Sequence, residues 1–206
     1  FLDKKDLGVH TEMITNSILE LVEAGVVTGQ RKNINRGIII GAFSRGSRKL
    51  YDFMDRNPCV AMNPCSYVNN PNVIARNYKM VSANTAMGID LLGQVSSESI
   101  GYMQYSGSGG QVDTVTGAIH ATGGKSIIAL ASTAKNGTLS KICLSHGPGT
   151  AVTLSRNDVD YVATEYGIVR LSGRTVKERA KLLISIAHPR FRDELTAQAG
   201  KAGLLL

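Results

Sequence analysis

Four short stretches of this chain carry groups whose chemistry goes beyond packing. The first is Asp6-Leu-Gly-Val-His-Thr-Glu12. Glu12 has two readings there. It is either an acidic residue in the first turn of a following helix, where a negative charge is favourable, or a nucleophile that a loop bent at Gly8 opens to substrate. His10, two residues earlier, is a candidate general base or a surface histidine. The second stretch is Tyr105-Ser-Gly-Ser-Gly-Gly-Gln111. Its small residues can present consecutive backbone N–H groups to a phosphate or a developing oxyanion, or form a plain flexible turn. It lacks the Lys-Ser/Thr of a phosphate loop and the spacing of a dinucleotide fingerprint. Gly107-Ser-Gly is only part of a nucleophile-elbow pattern, with no assignable His or Asp partner.

The other two are Ser132-Thr-Ala-Lys-Asn-Gly-Thr138 and Thr164-Glu-Tyr-Gly167. The former follows an apolar strand, the place where α/β folds put ligand loops. Lys135 there is a candidate for meeting a phosphate or a solvated surface lysine. Glu165 is a second catalytic carboxylate or an ion-pair partner.

Positioning these residues takes alternating strands and helices. Apolar residues at helical spacing predict a helix from Glu12 to Ala24, with Thr15 or Asn16 as its cap and Gly25 as its stop. Short strands follow at 26–28 and 37–43; the second, Gly-Ile-Ile-Ile-Gly-Ala-Phe, is apolar enough to be covered on both faces. A helix spans 47–56, and Asn69-Asn70-Pro71 opens another, since proline suits a first turn. Strands are expected at 80–86, 90–95, 127–131 and 161–164. Residues 139–144 and 151–154 flank His146-Gly-Pro-Gly149 as a plausible hairpin. Thr175-Val-Lys-Glu178 is a capping box that starts a helix ending at His188-Pro189. The result is an α/β domain: a mixed open sheet with helices packed on its faces and active loops at strand ends.

Composition narrows the function classes. Hydrophobic residues make up 43% and charged residues 19%, which favours a folded core over disorder. The net charge of +7 is scattered, and four Phe and no Trp leave little for base stacking, so nucleic acid is not an expected partner. A phosphate-bearing small molecule suits the charge equally well. Cys59, Cys65 and Cys143 fit no zinc spacing and read as buried reduced thiols. No metal or redox cofactor, no signal peptide and no membrane span is expected.

Six blocks in order, DLGVHTEM (6–13), SANTAMGIDLLGQV (82–95), GSGGQVD (107–113), STAKNGT (132–138), DVDYVATEYGI (158–168) and LISIAHPRFRDEL (183–195), resemble the C-terminal domain of the acetyl-CoA hydrolase/transferase family. The resemblance covers nearly the whole chain and is nearer the 4-hydroxybutyrate and butyrate branch. It implies a class I CoA-transferase-like domain spanning 1–206, preceded by an N-terminal domain of the same polypeptide; the opening on Phe1 fits such a piece. It further implies a cytoplasmic homo-oligomer whose partners are acyl-CoA and a small carboxylic acid, with coenzyme A as substrate. Glu12 would be the nucleophile, and Gly109 or Gly110 would donate to the oxyanion. Asn69 would contact the pantetheine arm, while Gln94, Ser108, Gln111 and Lys135 would line the CoA site. Transfer between carboxylates, hydrolysis of acyl-CoA on the same scaffold, and a non-catalytic CoA- or nucleotide-binding module all stay open. A lone domain of 206 residues is expected to have little activity.

Overall fold

A computed structural model describes all of residues 1–206. The chain divides into two compact units, residues 1–80 with 120–124 and residues 81–119 with 125–206.

In the first unit, β1 (Met13–Thr15) runs straight into α1 (Asn16–Glu23). Then come β2 (Ile39–Gly41), β3 (Phe43–Arg45), α2 (Arg48–Met54), β4 (Val60–Met62), α3 (Cys65–Val68) and α4 (Pro71–Ala75). Every pairing is parallel: β1 with β3, β2 with β4, and single bridges Leu7–Val27 and His10–Ile40. Parallel strands need cover on both faces, and Ile14, Leu19, Val27, Ile39 and Leu50 supply a buried core, with α1 and α2 contributing Leu19 and Leu50. The helix expected from Glu12 begins instead at Asn16, because residues 13–15 pair with 43–45. Ile14 and Ile18 satisfy helical spacing, but strand pairing overrides that local preference. Asn70 caps α4 by accepting from the Asn72 N–H at 2.9 Å, with Pro71 in the first turn as expected.

The second unit opens with β5 (Val81–Thr85), β6 (Gly88–Asp90), β7 (Val95–Ser96), β8 (Ser99–Ile100) and β9 (Met103–Gln104). Helix α5 (Gln111–His120) leads to β10 (Lys125–Ala129), β11 (Thr133–Ala134), β12 (Leu139–Ser140) and β13 (Ile142–Cys143). The unit closes with β14 (Tyr161–Thr164), β15 (Gly167–Arg170), α6 (Val176–Ser185) and α7 (Pro189–Lys201). Its main sheet has the order β15-β14-β10-β5; β5, β10 and β14 are parallel and β15 is antiparallel, so the mixed α/β sheet expected from the sequence is present. Ile128, Val162, Leu171, Leu183 and Leu195 belong to one buried core beneath it.

Several expectations are corrected here. Residues 90–95 are mostly a turn, because the buried Asp90 carboxylate accepts from the Leu92 and Gln94 N–H groups and Gly93 takes φ +92°. Residues 139–144 and 151–154 do not pair with each other: β12 pairs with β11, β13 with β6, and Leu154 bridges Val95. Helix α6 stops at Ser185, ahead of His188-Pro189 as expected, but it is not the last helix: His188 caps α7 and Pro189 starts it. The thiols are not buried: Cys59 and Cys65 are exposed, on a turn before β4 and at the start of the short α3, while Cys143 is half-buried and burial pushes its thiol up to about 11. No helix is long and apolar enough to cross a membrane.

Candidate functional site

In the first unit the structure brings two of the singled-out residues together. Glu12 lies at a bend one residue ahead of β1, four positions before α1, so it is not a first-turn helix residue. Its own carbonyl accepts from two successive N–H groups, Ala42 at 2.9 Å and Phe43 at 3.1 Å, which fixes its backbone in the ladder. The carboxylate is half-buried and joins no ion pair. It accepts from Asn69 Nδ2 at 2.5 Å. A carboxylate offers only acceptors, so the amide must turn its nitrogen toward it. Asn69 caps α3, its N–H bonded to the Cys65 carbonyl at 2.8 Å. Its Oδ1 is buried without a protein partner, an acceptor left over.

His10 is neither on the surface nor free to act as a base through Nε2. It is 8% exposed, and Nε2 lies 2.8 Å from the Val68 carbonyl. Burial is the main cause holding its imidazole below the usual range; the Val68 bond opposes it and the nearby Lys32 charge adds to it.

Lys32 escaped sequence reasoning altogether. Its Nζ donates to the Val9 carbonyl at 2.9 Å and the Ile38 carbonyl at 2.6 Å, with no carboxylate partner, and burial brings it down to about 8. Its stem passes over Gly8, where an added Cβ would sit 2.4 Å from Lys32 Cγ. Gly8 is thus required for packing. Only a long-range contact reveals this, and no local pattern encodes it.

In the second unit, Ser108, Gly109, Gly110 and Gln111 form the entry to α5. Gly109 takes φ +58°, a conformation that favours glycine, and open space surrounds the position of a Cβ there. Gly110 is buried, and its carbonyl accepts from the Thr114 N–H at 2.9 Å. Gln111 is buried with its Oε1 unpartnered. Gln94 and Lys135 lie elsewhere in this unit. The Gln94 amide donates to Asp90 Oδ2 at 2.6 Å as part of the Asp90 turn, and Lys135 is exposed on the bend between β11 and β12.

An open pocket of about 580 Å³ sits at the carboxyl ends of β5, β10 and β14, with Thr85, Ala86, Leu130, Lys141 and Glu165 among its walls. Such ends are where parallel sheets place ligands. Glu165 accepts from Ser132 Oγ at 2.5 Å and Ser132 N–H at 2.9 Å, which holds its carboxyl below the usual range; it is not an ion-pair partner. Lys141, also unforeseen, donates to the Ala86 carbonyl at 2.8 Å. No group of three or more His, Cys, Asp or Glu is placed to hold a metal ion.

Residues 46–199 match the model of the acetyl-CoA hydrolase/transferase C-terminal domain. The chain is 52% identical over 193 residues to 4-hydroxybutyrate coenzyme A transferase of Clostridium kluyveri, covering 94% of this chain and 45% of that protein. It superposes on RipA from Yersinia pestis with a TM-score of 0.93 and 44% identity, covering 98% of this chain and 46% of that one. For the 4-hydroxybutyrate CoA-transferase of Porphyromonas gingivalis the TM-score is 0.83 at 40% identity, with 96% and 46% covered. The chain therefore spans about half the length of the relatives it matches.

Proposed function

Because the chain belongs to the acetyl-CoA hydrolase/transferase family, we propose that it carries the nucleophile of a CoA-transferase acting between an acyl-CoA and a small carboxylate of the acetate, butyrate or 4-hydroxybutyrate class. The observation that carries this reading is the half-buried Glu12 carboxylate, unpaired with any cation and oriented by Asn69 at 2.5 Å.

In this reading a Glu12 oxygen attacks the thioester carbonyl carbon, the C–S bond breaks, and CoA leaves as the thiolate. The thiolate then attacks the glutamyl carbonyl of the resulting anhydride and expels the first carboxylate, leaving a glutamyl-CoA thioester. A second carboxylate attacks this thioester and expels CoA thiolate, which then attacks the acyl carbonyl of the new anhydride, giving the new acyl-CoA and freeing the Glu12 carboxylate. An anhydride and a thioester each keep the group activated, so two easy exchanges replace one difficult transfer. Asn69, beside the carboxylate, is the proposed contact for the pantetheine arm. As a separate part of the proposal, the glycine turn at Gly109–Gly110, with Ser108 and Gln111 beside it, offers backbone N–H to an anion, as an oxyanion donor worth about 3 kcal/mol in a transition state. Gln94 and Lys135 keep a lesser proposed role toward CoA.

The test is mass spectrometry of the complete natural polypeptide containing these residues, after incubation with acyl-CoA and borohydride. A mass change on the Glu12 peptide is the expected result. Glu12→Gln should cut CoA transfer by at least about 1,000-fold, as removal of a nucleophile does; a variant retaining normal transfer overturns the assignment. Product assay with and without an acceptor acid separates transfer from hydrolysis.

A further inference from the structure

His10 bridges Ile40, and Glu12 stands at a bend two residues further on, directly ahead of β1. Both reach the same short segment. His10 Nε2 meets the Val68 carbonyl at 2.8 Å, and Glu12 meets the side chain of the next residue, Asn69. A carbonyl can only accept, so Nε2 carries the hydrogen and the ring is the Nε2–H tautomer. Nδ1 is buried without a partner, which a neutral ring tolerates far better than an imidazolium.

Val68 is the last residue of α3, a helix of only four residues, and its carbonyl belongs to the set that a helix end leaves unbonded. The neighbouring carbonyls of Cys65 and Tyr67 are satisfied by the N–H groups of Asn69 and Asn70. The partner of the Val68 carbonyl is His10. The Val68–Asn69 peptide group is thereby held at both ends, its N–H by the Cys65 carbonyl within α3 and its carbonyl by His10 on the chain that leads to Glu12, which fixes the backbone from which the Asn69 side chain reaches.

We propose that His10 is a positioning residue whose Nε2–H, by gripping the Val68 carbonyl, sets the Asn69 amide against the Glu12 carboxylate. The proposal rests on the reading of Glu12 as nucleophile. Burial together with the Lys32 ammonium disfavours the charged ring, whose second N–H at Nδ1 would be buried without an acceptor. His10 does not touch the reacting atoms.

The experiment uses the complete natural polypeptide with acetyl-CoA and butyrate, and compares His10→Phe with His10→Gln. Phenylalanine keeps a ring but loses the donor, whereas the glutamine amide reaches nearly as far and keeps it. The readouts are kcat, KM for acetyl-CoA, thermal midpoint, and the rate at which borohydride reduces the glutamyl-CoA thioester on Glu12. His10→Phe should fold and lose kcat and trapping rate together by about 100-fold, the cost of displacing a reacting group by roughly 1 Å. His10→Gln should recover most of both.

A Phe variant trapping Glu12 at the wild-type rate overturns the positioning role, and so does a Gln variant as impaired as Phe. If the Phe variant does not fold, nitrogen NMR of the wild-type ring decides: an unprotonated Nδ1 with protonated Nε2 supports the grip, and the opposite tautomer refutes it. Failure of the underlying reading looks different, since wild-type enzyme would then transfer CoA without labelling Glu12.

Discussion

Replacing Asn69 by leucine removes the donor facing Glu12 while keeping the branched outline of the side chain. Two opposed effects follow, and their sizes decide the sign. The Asn69 bond stabilises the charged carboxylate before reaction, so its loss raises the energy of the ground state and would speed attack. Glu12 is half-buried, so water restores part of that stabilisation. The net value of such a bond is then about 0.5–1.5 kcal/mol, which permits at most about a tenfold gain.

Against this stands orientation. The 2.5 Å bond is the contact that fixes the end of a three-torsion side chain, and a misplacement of about 1 Å costs on the order of 100-fold. Orientation wins by about tenfold. At saturating acyl-CoA, kcat and the rate of borohydride trapping on Glu12 should both fall by about that factor in Asn69→Leu. Measuring at saturation separates this from weaker CoA binding. A leucine variant with kcat equal to or above wild type would show that the bond supplies ground-state stabilisation only, and the orientation argument would be wrong.

Three other outcomes can be checked on stability alone. Gly8→Ala should cost about 1–3 kcal/mol by overpacking against the Lys32 stem, and Lys32→Ala in the same chain should relieve much of it; purely additive urea melts would deny the contact. Lys32 has its native value lowered to about 8 from 10.5, so between those values the unfolded chain binds more protons and stability should rise with pH; the slope of wild type minus Lys32→Met across that window should vanish if Lys32 is in fact solvated. Glu165, held low by Ser132, contributes stability above its ordinary 4.5 that is lost as pH falls through the lower native value. Because the residue is exposed, Glu165→Gln should lessen the acid sensitivity of the thermal midpoint only slightly, and an increase in that sensitivity would contradict the assigned direction.

Local signals were legible where a bond partner lies within a few residues. The Thr175 and Glu178 capping box is present with both of its bonds, and Pro71 opens α4. Strand β14 falls where its β-branched run put it. Failures came where distant pairing or an ambiguous residue decided. Pro189 reads equally well as a stop or a first-turn residue, and α7 takes the second. Helix α5 was hidden by the glycines that precede it and by Gly117, Thr114 and Thr116 within it, all poor helix formers. Residues 13–15 have helical spacing yet form a strand, because β3 is there to receive them.

The site divides along the same line. Glu12 was found through resemblance and Asn69 within the same family pattern, but 57 residues separate them and nothing local says that they touch. What orients the carboxylate is a set of anchors drawn from separate parts of the chain: the Ala42 and Phe43 N–H groups on its carbonyl, Asn69 on its side chain, and His10 on the peptide that precedes Asn69. The ladder does not slip to achieve this, since His10 with Ile40 and Met13 with Phe43 share one offset, 40 − 10 = 43 − 13 = 30 residues. Each anchor is a backbone or amide hydrogen bond of modest individual worth. The proposed nucleophile, held in this way, depends on intact long-range pairing. Its reactivity should therefore be lost in partly unfolded states that still keep α1 and α2 but lose the pairing around Glu12.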